Sequence, residues 1–464
     1  PGQTGGKDVN RSTYSRYSVD LGATATWAPT ATISAKTAVG AQWFKDTQYQ
    51  TLAQGYSLPP GATTPNSASI RTSSEFTDEN ATYGAYLEQV LGFNDRLFLT
   101  AGVRTDQNSA FGRSVGNTVY PRAAVSYVIS EESWFPDLTS GGNLRLRAAY
   151  GKAGVQPTTI AALQYLNAFT VPIEGAEVPG LRINALGNPN LKPEVTTEIE
   201  AGIDAGLFDE RILVELTFFS KKSRDALVAQ PLPPSFGAGA SQFQNLAQVS
   251  NRGLELSINA DVIRSRKLSW NLNFTGSTIS NRLDDAGGAS LAQTQGQRNA
   301  VGYPLFGLWD RPILGFSDAN GDGIIVASEI QVGDTAEYRG PTLPRREAAL
   351  TNTIGFFNQK VRVTGLIDYR GGHYNQWGFE NNRCNSGNCR AVNDPTAPLA
   401  DQAAAVARST AAFGNTTWGY FVENDFIRLR EISIAADIPE RIRKVFGLRT
   451  ASVVFSGRNL GTLW

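Results

Sequence analysis

The sequence predicts an all-β fold, a transmembrane antiparallel up-and-down β-barrel, with about fourteen strands falling within its 464 residues. Three observations predict it. The composition suits strands and turns, segments of roughly ten residues alternate apolar with polar side chains, and the connections between those segments run short, long, short, long.

The composition comes first. Gly 46, Phe 23, Tyr 15 and Trp 8, with 18% charged residues, favour pleated surfaces and tight turns over helices. Basic and acidic residues number 42 each, so the formal charge is zero and no broad positive field favours a nucleic-acid partner. There is no run of about 18 apolar residues, which excludes a transmembrane helix. It does not exclude transmembrane strands, whose alternation averages out, so a mean hydropathy of -0.24 carries no argument for solubility.

The alternation is strict. Ile199, Ala201, Ile203, Ala205 and Leu207 share one face, against Glu198, Glu200, Gly202 and Asp204 on the other. Ile212, Val214, Leu216 and Phe218 oppose Glu215, Thr217 and Lys221, and Leu254, Leu256, Ile258 and Ala260 oppose Glu255, Ser257 and Asn259. Trp270, Leu272 and Phe274 alternate with Asn271, Asn273 and Thr275, and Val361, Val363, Ile367 and Tyr369 with Arg362, Thr364, Asp368 and Arg370. In a membrane barrel the apolar face meets lipid and the polar face a wet lumen, so Ile203→Arg should damage the protein and Asp204→Asn should be tolerated. A soluble sandwich or propeller also alternates.

Connection lengths separate these folds. Short turns fall near Pro29, at Phe93-Asn94-Asp95, at Phe208-Asp209-Glu210, at Ser265-Arg266 and at Asn358-Gln359; long connections span 46–76, 107–119, 152–192, 222–243, 281–349 and 371–420. In an up-and-down barrel every second connection emerges on the same side, so all the long ones share one face, as in outer-membrane barrels. After Ile427 and Leu429 the apolar phase changes to Ile432 and Ile434, which predicts a β-bulge near Arg430-Glu431. An alanine-rich stretch at 401–408 predicts a short helix inside a long loop.

The chain begins at Pro1 and contains no Met, so the initiator and any targeting segment are expected outside these residues. Cys384 and Cys389 lie in a polar Asn-Gly stretch, where a disulfide is expected, and His373 is the single histidine. One histidine supports neither a catalytic triad nor a histidine metal cluster, so no enzyme is expected. Aromatics in the long connections, among them Trp309, Tyr374 and Trp418, suit loop packing, interfacial girdles or stacking on sugars, and none is assigned as a site.

One loop carries a metal pattern. Asp318, Asn320 and Asp322 stand at positions 1, 3 and 5, Gly323 at 6, Ile324 at 7 and Glu329 at 12, matching D-x-[DN]-x-[DN]-G-x5-E. Calcium takes six to eight oxygens, which these side chains and the Ile324 carbonyl supply with water, while Gly323 permits the turn. Pro312 and Gly315 rule out an entering helix, so a structural Ca²⁺ loop without helices is expected.

Asn188-Pro189-Asn190-Leu191-Lys192-Pro193-Glu194 resembles the NPxLKPE segment that opens a strand in many TonB-dependent receptors. Asn424-Asp425-Phe426-Ile427-Arg428-Leu429-Arg430-Glu431-Ile432-Ser433-Ile434, with Phe455-Ser456-Gly457-Arg458-Asn459-Leu460, is similar to the C-terminal barrel region of the SusC/RagA branch. Gly302-Tyr303-Pro304, leading to Asp318-Ala319-Asn320-Gly321-Asp322-Gly323, resembles another segment of that branch. The resemblance runs from about Thr77 onward and implies a transporter in the cell outer membrane, importing oligosaccharides or peptides. Its implied partners are outer-membrane lipid, a SusD-like lipoprotein and the TonB-ExbB-ExbD energy-coupling complex, with no nucleic acid. Residues 1–464 are then expected to be part of the receptor barrel, without its N-terminal plug domain and final strand. A passive outer-membrane porin or adhesin, and a soluble β-rich calcium-dependent binding protein, are the alternatives.

Overall fold

The computed structural model describes residues 5–464 except 137–140, 158–160, 234, 236–240, 290, 292 and 295. Fourteen strands hydrogen-bond in chain order into one sheet. They are β1 (Gly5–Thr30), β2 (Ile33–Leu58), β3 (Ile70–Phe93), β4 (Leu97–Asn108), β5 (Thr118–Val128), β6 (Leu144–Val155), β7 (Glu194–Leu207), β8 (Ile212–Pro231), β9 (Ser241–Arg264), β10 (Leu268–Asp285), β11 (Arg346–Phe356), β12 (Val361–Gly371), β13 (Phe426–Asp437) and β14 (Ser452–Thr462). This is the transmembrane up-and-down meander that the alternation predicts.

The chain forms two compact units. The first comprises Pro1–Ala124, Gly151–Thr197 and Arg224–Leu246, and the second Val125–Tyr150, Glu198–Ser223 and Ala247–Trp464. In the first, β1 and β2 pair in almost unbroken antiparallel register, as do β2 and β3. In the second, β9–β10, β10–β11, β11–β12, β12–β13 and β13–β14 are antiparallel.

The two faces separate as expected. On β7, Ile199 and Ile203 are 54% and 45% exposed, while Asp204 between the sheet's polar side chains is 9% exposed. Apolar side chains turned outward in a membrane strand meet lipid, so their exposure marks the hydrocarbon face. The bulge falls at Arg430: Leu429 pairs with Ile367 and Glu431 with Leu366, leaving Arg430 unpaired. Leu429 and Ile432 thereby reach the same face, and the freed Arg430 guanidinium closes on Asp368 at 2.7 and 2.9 Å.

The hairpin ends use left-handed backbone. Asn94 and Asp95, the run Phe208, Asp209 and Glu210, and the run Phe357, Asn358 and Gln359 all have positive φ. Asn and Asp tolerate this region best among residues with a side chain, which explains their place in these turns.

The long connections need one correction. Much of 46–76 and 222–243 is strand: β2 runs to Leu58, β3 begins at Ile70, β8 runs to Pro231 and β9 begins at Ser241. A strand crosses the bilayer in about 9–11 residues, so the 26 residues of β1 and of β2 carry the ladder far beyond it. Thr- and Gln-rich segments such as 46–58 hide this, because neither face is apolar once both meet water.

Two connections are folded layers in their own right. The β10–β11 connection holds paired strands Ile313–Phe316 and Ile330–Val332, and the β12–β13 connection holds α1 (Gly378–Asn385), α2 (Arg390–Asn393) and α3 (Leu399–Ser409). The expected disulfide joins Cys384 to Cys389, with Cα atoms 4.7 Å apart. Helix α3 serves two cores. Its Ala403 packs with Ile325 and Ile330 from the other connection, and Ala404 and Ala405 pack on the disulfide and Tyr420. Small side chains are what this requires, since Ala404 Cβ lies where a Cβ on Gly419 would collide. Between β13 and β14 lies α4 (Glu440–Val445).

Candidate functional site

The Asp-Asn-Gly loop winds around its first aspartate. Asp318 Oδ1 accepts from the Gly321 and Asp322 amides at 2.8 and 3.1 Å, and Oδ2 accepts from Gly323 N at 2.8 Å. Gly321 and Gly323 both take positive φ, which lets successive amides turn toward one carboxylate. Asp322 Oδ1 accepts from Ile324 N and its Oδ2 from Asn320 Nδ2, each at 2.8 Å. Glu329 at position 12 reaches back across the loop, with Oε1 and Oε2 accepting from Ala319 N and Val326 N at 2.8 and 3.1 Å. All five predicted positions thus belong to one wound loop. Their acidic oxygens are occupied by amides, and among the described residues the three carboxylates do not draw within 4.8 Å of one another. The one cluster of that kind is Glu380 with Cys384 and Cys389, whose sulfurs form the disulfide.

Sequence reasoning missed what holds this loop in place. Gln402 on α3 is 3% exposed; its Oε1 accepts from Ile325 N at 3.0 Å, and its Nε2 donates to the carbonyls of Gly323 and Ala397 at 3.0 and 2.9 Å. Asp310 and Arg311 make a second cross-link. Asp310 Oδ2 accepts from the Thr417 amide and hydroxyl at 2.7 Å, and Arg311 donates to the Gly333 and Ala412 carbonyls. The available signal was a glutamine heading the run Ala403-Ala404-Ala405, where a polar side chain on an apolar helix face marks a buried hydrogen-bonding duty.

Aromatics pack the same layer. Tyr303, Trp309 and Tyr338 meet with centroids 4.7–5.3 Å apart, Arg298 lies over Trp309 at 4.2 Å, and Arg339 lies over both Tyr374 and Trp418. Burial pushes the Tyr420 hydroxyl up to about 12, with Glu380 adding to the effect. His373 sits just past β12, buried, where Asn424 Nδ2 donates to its Nε2 at 3.0 Å and Asp425 Oδ1 lies 3.9 Å from Nδ1. Burial draws its imidazole below the usual range, against the opposing pull of Asp425.

Within each unit the inner face is a polar wall. In the first, a cleft of about 950 Å³ is lined by Arg16, Gln42, Arg104, Asp106, Arg122 and Lys152 among others. Arg104 donates to both Asp106 oxygens at 2.9 Å and to Gln42 Oε1 at 2.6 Å, while Asn108 donates to Thr82 and Gln156. In the second, a hollow of about 390 Å³ is lined by Glu215, Glu255, Glu347 and Asp368 with Thr217, Ser257, Thr275 and Ser277. Such walls offer hydrogen bonds to a hydrated solute.

Comparison with known proteins agrees with this architecture. The family model described as TonB dependent receptor-like, beta-barrel matches residues 2–322. TonB-dependent receptor P26 of Formosa agariphila is 27% identical over 412 residues, covering 80% of this chain and 40% of that protein. TonB-dependent receptor SusC of Bacteroides thetaiotaomicron is 26% identical over 307 residues, covering 60% of this chain and 30% of that protein. The solved structure of the RagAB peptide transporter superposes with a TM-score of 0.78 at 17% identity, covering 99% of this chain and 53% of that one. The chain therefore spans less than half the length of these curated relatives, and the superposition speaks for the fold alone. With the family model matching most of the chain, on fourteen strands with one lipid-facing and one polar face, the chain belongs to the TonB-dependent receptor-like β-barrel family of the outer membrane.

Proposed function

We propose that this chain is the barrel wall of an active importer of large nutrients, oligosaccharides or peptides, energised by TonB-ExbB-ExbD through a plug domain and working with a SusD-like lipoprotein. It moves solutes and catalyses no reaction. The observation that carries this reading is a polar inner wall on membrane-spanning strands in a chain of this family. The SusC relative and the RagAB superposition support the branch and its partner. The chain covers about half of the RagAB chain, which supports a receptor larger than these residues. A cell producing the complete receptor should take up labelled oligosaccharide or peptide only while TonB is intact and the membrane is energised. Uptake that survives loss of TonB would instead mark a passive porin.

We also propose that the loop at 318–329 takes a structural Ca²⁺. Asp318, Asn320, Asp322, the Ile324 carbonyl and Glu329 hold the required positions, and a carboxylate retains acceptor capacity beyond the amides it already serves. Binding requires Glu329 to exchange the Ala319 and Val326 amides for the ion. Expected affinity is about 10⁻⁴ to 10⁻³ M, the range of extracellular calcium modules. Titration calorimetry should show calcium heat in the parent and none in Asp322→Ala; an identical titration in both would remove the site.

A further inference from the structure

We infer that the connection between β13 and β14 binds anionic glycerophospholipid at the short-turn end of the barrel. Its position comes from the backbone: Asp437 N donates to Lys360 O at 2.8 Å, which ties the end of β13 to the short β11–β12 turn. The connection is closed at its own base by Ile438 N on Ala451 O at 2.9 Å.

Its side chains are unusual for a segment facing water. Ile442, Val445, Phe446 and Leu448 are all exposed, Val445 and Phe446 by 79% and 71%. Large apolar groups crowded onto so short a stretch mark a contact with something apolar. Four basic residues, Arg441, Arg443, Lys444 and Arg449, accompany one acid, Glu440. Two of the cations are used locally. Arg443 donates to the carbonyls of Ile438 and Arg449, and Lys444 pairs with Glu440 at 2.9 Å. Arg441 and Arg449 are exposed, and among the described residues no carboxylate lies within ion-pair reach of either.

The occupant must therefore be apolar and anionic at once. Continuity with the lipid-facing surface says which such partner it is. The strand entering the connection carries Ile432 and Ile434 on its outward apolar face, 42% and 46% exposed, and Ile434 pairs with Phe455 on the strand that leaves it. At the adjoining turn Phe357 is 71% exposed, so the greasy surface continues from the strands onto the rim. An aromatic girdle with guanidinium groups beside it is the arrangement that seats at headgroup level, apolar side chains among acyl chains and arginines on phosphate. At six residues α4 is too short to hold itself as an isolated helix, which is why Arg443 staples it from within.

The test uses the protein reconstituted in nanodiscs. Because no cysteine is free, Val445→Cys gives a single site for a nitroxide label. With phosphatidylglycerol in the bilayer, the label should collide more with oxygen than with a water-soluble nickel chelate, placing it at the interface. Arg441→Glu with Arg449→Glu should shift it toward water and weaken binding of soluble short-chain phosphatidylglycerol about fivefold per cation. These variants lie on an exposed surface, and unchanged heat-modifiable gel migration confirms that the barrel stays folded. A label equally open to the nickel chelate would overturn the inference, as would protection from both reagents, which means a protein covering. So would the same depth in purely zwitterionic bilayers.

Discussion

Ile203→Arg is expected to block assembly of the barrel or to lower its stability by about 2–4 kcal/mol, the range for a cation on the lipid face at the midplane. Ile203 lies five residues before the turn at Phe208, on the outward face of β7. At about 3.3 Å per residue and a tilt near 40°, that is roughly 13 Å into an apolar band about 25 Å tall. Urea titration of the variant refolded into vesicles measures the loss. A stability equal to the parent would mean that Ile203 does not face lipid.

One residue later the wall answers differently. Asp204 accepts from Arg145 at 2.5 and 2.8 Å and from Arg147 at 3.0 Å, and Arg147 continues to Thr217 at 2.6 Å. The expectation that Asp204→Asn is harmless therefore fails on structural grounds. An amide presents an NH₂ to a guanidinium and offers one acceptor where two arginines need several. The expected loss is about 1–2 kcal/mol for Asp204→Ala, below the 3–5 kcal/mol of a fully buried pair because water still reaches Arg145. Combining Arg145→Ala with Asp204→Ala should recover part of the loss in a double-mutant cycle; strict additivity would show that the contact carries no energy.

The legible part of this fold was the part governed by a period of two. Lipid on one side and a wet lumen on the other force alternation, so the strands around Ile199, Leu254 and Val361, and the phase slip at Arg430, were all readable. Where both faces meet water that constraint disappears, and the outer halves of β2 and β8 read as loops. The turn at 318–329, the proposed calcium site, was visible as a spacing, because Gly323 and the aspartates stand at fixed offsets. Gln402, Asp310 and Arg311 were not, since they act on Ile325, Thr417 and Ala412, which lie 77, 107 and 101 positions away. The pairing of Asp204 with two arginines was hidden likewise, because which lumenal charges become neighbours depends on strand register.

The double duty of α3 bears on how the protein matures. Its two packing partners come from different segments: Ile325 and Ile330 precede β11, whereas the disulfide and Tyr420 follow β12. The segment after β12 has a core of its own in Cys384, Cys389, Ala404, Ala405 and Tyr420, whereas Ile325 and Ile330 find Ala403 only across the intervening hairpin. Contacts of such high sequence separation carry a larger loop-closure cost than local ones. Hairpin β11–β12 lies between the two segments in sequence, so its formation brings Ile325 and Gly323 toward Gln402 and shortens the loop that this contact must close. A protease that nicks the exposed turn at Gly387 before that moment would strand both segments. After it, the same cut would leave them held together by the Cys384–Cys389 bond and the shared helix.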